Sequence, residues 1–204
     1  MGRPSLKQEK KKEIIAAAKR LAARSGIGGL TLESIAKEAN IARPLVRHNL
    51  GNKEQIIAAL VEDFTAQSRI YLDEYRKRMS NDNPLTDLVE LLFDPSHSDS
   101  EFNLLGNALV MEGANSEPIK VSMRNWTVGF IEFISGAAKI EYPDASKKLV
   151  MDCAVGISGL FFSVESMLAS GEITGFRESS LASACENVFP SGVKKMISSY
   201  FLWA

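Results

Sequence analysis

Apolar residues recur at three- and four-residue spacing along most of this chain, and the runs stop at glycine, proline or a Gly-Asn pair. That spacing is the signature of one helix face, and no stretch reads convincingly as a strand. The chain is therefore expected to be all-α. Ile14, Ile15, Ala18, Leu21 and Ala22 predict a first helix over about 7–25, stopped by Gly26. Thr31 then opens a short second helix as its N-cap, with Ser34 at the third position and Leu32, Ile35, Ala36 and Ala39 on its apolar face. Asn40 suits a left-handed turn. A third helix begins near Arg43 with Pro44 in its first turn, where a missing N–H costs nothing. Gly51-Asn52 ends it and caps a fourth helix, from Lys53 to about Met79. At 1.5 Å per residue that helix is roughly 40 Å long, enough to link two domains. Further helices are predicted over 84–93, 99–114, 117–140, 143–170, 177–188 and 190–203.

Charge is unevenly placed along these helices. Residues 1–53 hold twelve Lys and Arg against four Asp and Glu, a net +8, whereas the other 151 residues carry −9. The formal net charge of −1 thus hides a basic end on an acidic body. Such an end meets a phosphate polymer with one face while the rest keeps the protein in solution. A lysine-rich tail that merely solvates the N-terminus is the alternative that charge alone leaves open. The two cysteines, Cys153 and Cys185, sit far apart in apolar stretches and fit a reducing compartment better than a disulfide framework or a zinc site. The longest nearly uncharged run, Cys153 to Val164, is short for a bilayer span. Lys19, Arg20 and Arg24 interrupt the alanines that follow the basic N-terminus, which argues against a signal peptide. The expectation is a soluble, cytoplasmic protein with no membrane partner.

Thr31–Asn49 has the proportions of a helix-turn-helix: about two turns, a tight turn, then a second short helix. Ala36 is small enough to let the two helices cross closely, and Ile41 plugs the space beneath the turn. Arg43, Arg47, His48 and Asn49 crowd the exposed side of the second helix, and all are competent donors to base edges or phosphate. A generic helical corner explains the packing residues but not this concentration of hydrogen-bonding groups.

Lys12–Phe64 resembles the DNA-binding domain of the TetR (tetracycline repressor) family of transcriptional regulators. The marks are Ile15-Ala16-Ala17-Ala18, Gly26, Thr31-Leu32-Glu33-Ser34-Ile35-Ala36, Ile41-Ala42-Arg43-Pro44-Leu45 and Gly51-Asn52-Lys53-Glu54-Gln55-Ile56. The resemblance implies a three-helix DNA-binding domain over residues 1–53 and a helical effector-binding and dimerisation domain over 54–204. It implies that Thr31 caps the second helix and bonds a phosphate, and that Lys53 pairs with phosphate. Arg43, Pro44, Leu45 and Asn49 then occupy base-approaching positions, and Arg47 and His48 stand where the family often places an aromatic. Arg3, in the leading Gly2-Arg3-Pro4, resembles the basic arm that enters an adjacent minor groove. The usual tyrosine is Arg47 here and the usual phenylalanine before the fourth helix is Leu50, so Arg47 takes either a base or a phosphate role.

For the C-terminal part the resemblance implies a homodimer and a small-molecule effector. Ile119, Met123, Trp126, Phe130, Phe133, Ile134 and Ala137 make a heavy apolar stripe on helix 117–140. Phe93, Phe102, Leu105, Asn107, Met111, Met123, Trp126 and Phe130 are the candidate ligand-binding residues, with ordinary core as the competing reading. Ala154, Gly156, Ser158 and Gly159, together with the apolar C-terminal segment, favour a dimer over a thick monomer core. Catalytic signatures are missing, since Gly156-Ile157-Ser158-Gly159 falls one residue short of a nucleophile elbow and lies in a helix. Asp94, His97, Asp99 and Glu101 read as a solvated loop more than a metal site. The sequence therefore predicts no enzyme, cofactor or metal. It predicts a repressor of palindromic operator DNA that a small apolar ligand releases. An effector-independent nucleoid or division-associated protein of the same fold is the alternative, followed by a helical ligand-binding protein without DNA function.

Overall fold

The computed structural model describes residues 6–94 and 99–169. Eight α-helices lie there, with no strand among the described residues: α1 (Leu6–Ser25), α2 (Leu32–Glu38), α3 (Arg43–Leu50), α4 (Lys53–Arg78), α5 (Pro84–Phe93), α6 (Ser100–Glu112), α7 (Glu117–Glu141) and α8 (Lys147–Ala169). One short 3-10 turn, Ile27–Gly29, follows α1. The predicted helices 177–188 and 190–203, Cys185 and Arg3 lie outside the described residues.

The chain divides into two compact units. The first comprises the chain to Ile70 together with Asp99–Trp126. Its core runs from Ile14, Ala18 and Ala22 of α1 through Leu30, Ile35 and Val46 to Leu60 and Phe64 of α4, and on to Leu105, Leu109 and Met123. Burying each large side chain of this kind contributes about 1.5–3 kcal/mol before entropy is counted. α6 packs extensively along α1, whose buried side includes Ala17, Ala18 and Ala22. Phe64 stacks on Phe102 at 4.5 Å between ring centroids and meets the edge of Trp126 at 5.0 Å. The Trp126 indole N–H donates to the buried Ser68 hydroxyl at 2.7 Å, which satisfies a polar group the core would otherwise strand.

The second unit takes up the chain from Tyr71 through α5 and again from Thr127 through α8. Leu85, Leu88 and Leu92 of α5 bury against a cluster that includes Phe130 and Ile134 of α7 and Ala154 and Ile157 of α8. Asn83 precedes α5 without capping it; Glu141 of α7 does so instead, accepting from the backbone N–H groups of Leu85 (2.8 Å) and Thr86 (3.0 Å) and from the Thr86 hydroxyl (2.8 Å). Burial pushes the Cys153 thiol up to about 11, so it stays protonated and packs as a small apolar group.

The uncharged run from Cys153 looks short for a bilayer, yet α8 over Lys147–Ser166 is long and apolar enough to cross a membrane by length and composition. The reason is that a span tolerates charges near its ends, where they reach the interface. The same description fits the core helix of a soluble protein. The first unit extends past residue 53, since α6 and the first part of α7 pack with the N-terminal helices.

Candidate nucleic-acid interface

The start of α2, the turn that follows it and the start of α4 are each fixed by specific bonds. The Thr31 side chain accepts from the Ser34 N–H at 2.9 Å while the Ser34 hydroxyl oxygen accepts from the Thr31 N–H at 2.9 Å, a reciprocal box that holds the start of α2. After α2, Asn40 takes φ 52, and the Ile41 N–H returns to the Ala36 carbonyl at 3.0 Å. Asn tolerates that left-handed conformation better than most residues. Pro44 occupies the first turn of α3, and Val46 and Leu50 are its buried residues. Gly51 has φ 84, and a Cβ there would sit 1.8 Å from the Gln55 Oε1. Only glycine fits, because Gln55 must come that close to accept from the Asn52 N–H at 3.0 Å while Asn52 Oδ1 accepts from the Gln55 N–H at 2.9 Å. This second reciprocal cap opens α4. Its signal in the sequence is the Asn-x-x-Gln spacing, a variant of the capping box.

With Val46 and Leu50 turned inward, Arg43, Pro44, Leu45, Arg47 and His48 are exposed. Asn49 is half-buried, and its side-chain amide donates back to the Leu45 carbonyl at 2.8 Å. Thr31 is exposed at the start of α2, and the Lys53 ammonium donates to the Gly28 carbonyl at 3.4 Å, leaving further donors on the same nitrogen. Every DNA-directed residue named from the sequence, Arg3 apart, therefore lies within or beside one α2–α3–α4 junction.

Some cations of this unit are held by acids and others are not. Lys10 pairs with Glu13, Lys19 with Asp63, and Arg20 and Arg24 both with Glu38, at 2.7–2.9 Å. Arg43 and Arg47 have no ion pair or hydrogen-bond partner among the described residues, and α3 contains no acid. A count of twelve cations along the sequence cannot separate these groups, and it gives no sign of the part Glu38 plays. The Arg20 and Arg24 hydrogen bonds hold the Glu38 carboxyl below its ordinary value, Arg20 being the larger cause. A depressed carboxylate of this kind is fully charged above its ordinary range. Its contribution is lost as pH falls through the lowered value.

The candidate ligand-binding residues are distributed over both units. Phe102, Leu105, Met123 and Trp126 gather with Phe64 in the first unit. Phe93 and Phe130 lie in the second unit, where both rings meet Phe161 at 6.2 and 5.5 Å. Asn107 is half-buried on α6, and Met111 is 74% exposed. Asp99 caps α6 by accepting from the Phe102 N–H at 3.0 Å, and His97 lies outside the described residues. No group of three or more His, Cys, Asp or Glu able to hold a metal occurs among the described residues.

A capped pair of short helices, with buried apolar ribs and unpaired guanidiniums on the outer face, defines a helix-turn-helix DNA-binding domain heading an all-helical chain. Residues 14–60 match the family described as bacterial regulatory proteins, tetR family. Residues 14–60 are thus similar to the N-terminal domain of that family. Solved structures share the fold over nearly the whole chain. A transcriptional regulator from Rhodococcus sp. Rha1 matches with TM-score 0.60 at 15% identity, over 94% of this chain and 93% of that one. GusR of Salmonella enterica matches with TM-score 0.58 at 16% identity, over 95% and 93%. The multidrug binding protein EbrR, complexed with imidazole, matches with TM-score 0.56 at 14% identity, over 89% and 90%. No curated protein matches the sequence.

Proposed function

We propose that the protein is a homodimeric repressor that reads a palindromic operator with α3 and leaves it when a small apolar ligand binds among the C-terminal helices. The observation that carries the DNA-reading part is the sorting of charge. Arg20 and Arg24 of α1 are both paired with Glu38, while Arg43 and Arg47 of α3 stand exposed without a partner among the described residues, beside Pro44, Leu45 and His48. Two guanidiniums left open on one short exposed helix can be completed by an external anion or base edge through paired hydrogen bonds. In this reading Thr31 and Lys53 hold phosphate, Arg43 and Asn49 meet bases, and Arg3 follows the minor groove. Asn49 must first exchange its bond to the Leu45 carbonyl for one to a base.

An apolar effector is supported by the aromatic groups around Phe64 and Trp126 in one unit and around Phe130 and Phe161 in the other. A drug-binding protein among the structures of like fold is consistent with it. A ligand shifts release only by binding one conformation better than the other. The test is binding to duplexes selected from a random pool, measured across salt concentrations. It is then repeated with long-chain fatty acids and planar aromatic dyes as effector probes. Lys53→Ala should weaken every duplex by a similar factor and lower the salt slope by about 0.9 for each phosphate that is no longer neutralised. Arg43→Ala should act on the selected duplex far more than on others. A Lys53→Ala effect confined to one sequence contradicts its phosphate role, and operator binding indifferent to every probe removes the support for an apolar effector.

A further inference from the structure

α2 has only seven residues, too few to hold a direction by itself, so its orientation depends on its buried Ile35 and Ala36 and on what anchors its two ends. The Thr31–Ser34 box fixes the first. At the other, Glu38 is the last residue of α2, and its two oxygens take different arginines of α1: Arg20 Nε at 2.9 Å on one and Arg24 Nη2 at 2.7 Å on the other. Arg20 and Arg24 stand one turn apart, so the pair of bonds fixes an angle as well as a distance. The buried contacts of α3, Val46 and Leu50, are apolar and set depth more than direction. Only Ala39, Asn40, Ile41 and Ala42 separate Glu38 from α3, and the turn is itself tied by the Ile41 to Ala36 bond. A swing at the end of α2 therefore reaches α3 almost undamped.

We infer that Glu38 is a positioning residue for sequence reading, its fork to Arg20 and Arg24 setting the angle at which α3 presents its side chains to base edges. This rests on the DNA-reading assignment made above. Hydrogen bonds to bases, such as those of Arg43 and Asn49, fail with small errors of angle, whereas the attraction of Lys53 for phosphate tolerates them. Loss of the fork thus removes discrimination while sparing general affinity.

The experiment uses the full chain and two duplexes of equal length and composition: one selected by the wild type from a random pool, and a scrambled control. Glu38→Gln should lose tenfold or more on the selected duplex and bind the scrambled one as well as the wild type or better, since a negative charge has gone. Adding Glu38→Gln to the Arg20→Gln, Arg24→Gln pair should cause no further loss, because nothing remains for Glu38 to act through. Circular dichroism reports folding. Should Glu38→Gln fail to fold, the Arg20→Lys, Arg24→Lys pair keeps the charges, loses the planar donors and carries the same expectation. Equal loss on both duplexes, or no loss on either, overturns the inference. A wild type that enriches no sequence overturns the DNA-reading assignment, and this inference with it.

Discussion

At the scale of single residues, the tightest constraint outside the DNA-binding helices is Gly106. A Cβ built there lies 2.9 Å from Cζ and 3.0 Å from Cε2 of Phe64. Phe64 is almost fully buried, stacked on Phe102 and flanked by Trp126, so the ring has little freedom to retreat. Two effects of Gly106→Ala oppose one another. Alanine in a helix interior gains roughly 1 kcal/mol over glycine, while forcing an extra carbon into a packed core costs typically 1–3 kcal/mol. The second should win, giving a net destabilisation of about 1 kcal/mol in denaturant unfolding. A variant more stable than the wild type shows that Phe64 moves aside freely. Nothing in the sequence marks this glycine, since it interrupts no helix and caps none. Its role depends on a ring forty-two positions earlier in the chain.

At the scale of elements, most helix starts were written locally and one was not. Thr31 with Ser34, Pro44 after Ala42, and Asn40 at the turn all act within four residues of themselves, so spacing alone predicted α2 and α3. The eight helices predicted within the described residues appear with ends shifted by at most a few residues, the largest shift being at the start of α8. The short turn at Ile27–Gly29 left no periodic signal. The start of α5 was legible from Pro84, but its cap was not. Asn83, the residue whose type suggests a cap, makes no side-chain cap bond, and Glu141 supplies it from 56 residues away. Long-range partners of this kind, like Glu38 with Arg20 and Arg24, depend on the fold and leave no spacing to read. The consequence is testable. Glu141→Ala strands the first N–H groups of α5 and should cost about 1–2 kcal/mol, the usual worth of a helix cap. Glu141→Gln keeps an acceptor and should recover part of it. Asn83→Ala, by contrast, should leave melting nearly unchanged. Equal destabilisation by Asn83→Ala and Glu141→Ala returns the cap to Asn83.

At the scale of the molecule, the question is what covers α8. Met151, Val155 and Gly159 follow one another at four-residue spacing and are all exposed, Val155 by 50%. Only 33% of Lys147–Ser166 is buried within the chain, although the segment is apolar enough to cross a bilayer. Water, a membrane and a second copy of the chain are three neighbours that this face could meet. Water disfavours so apolar a face in proportion to its area. A second copy fits a regulator of a two-fold operator, since a symmetric dimer presents two α3 helices to two half-sites. A stable interface of this kind buries about 1,200–2,000 Å² in total, which one helix supplies only with help from its neighbours. Gly159 is the place to test it. A Cβ there meets no atom of the described residues within 4 Å, so Gly159→Arg can start its side chain without a clash while placing a charge on the exposed stripe. Sedimentation at micromolar concentration should show a dimeric wild type and a monomeric variant of unchanged helicity. The monomer should hold an isolated half-site about as well as before and lose the palindrome's advantage. A wild type that is monomeric in solution, or a variant that stays dimeric, removes α8 from the interface. A wild type that floats with lipid vesicles assigns the face to a membrane instead.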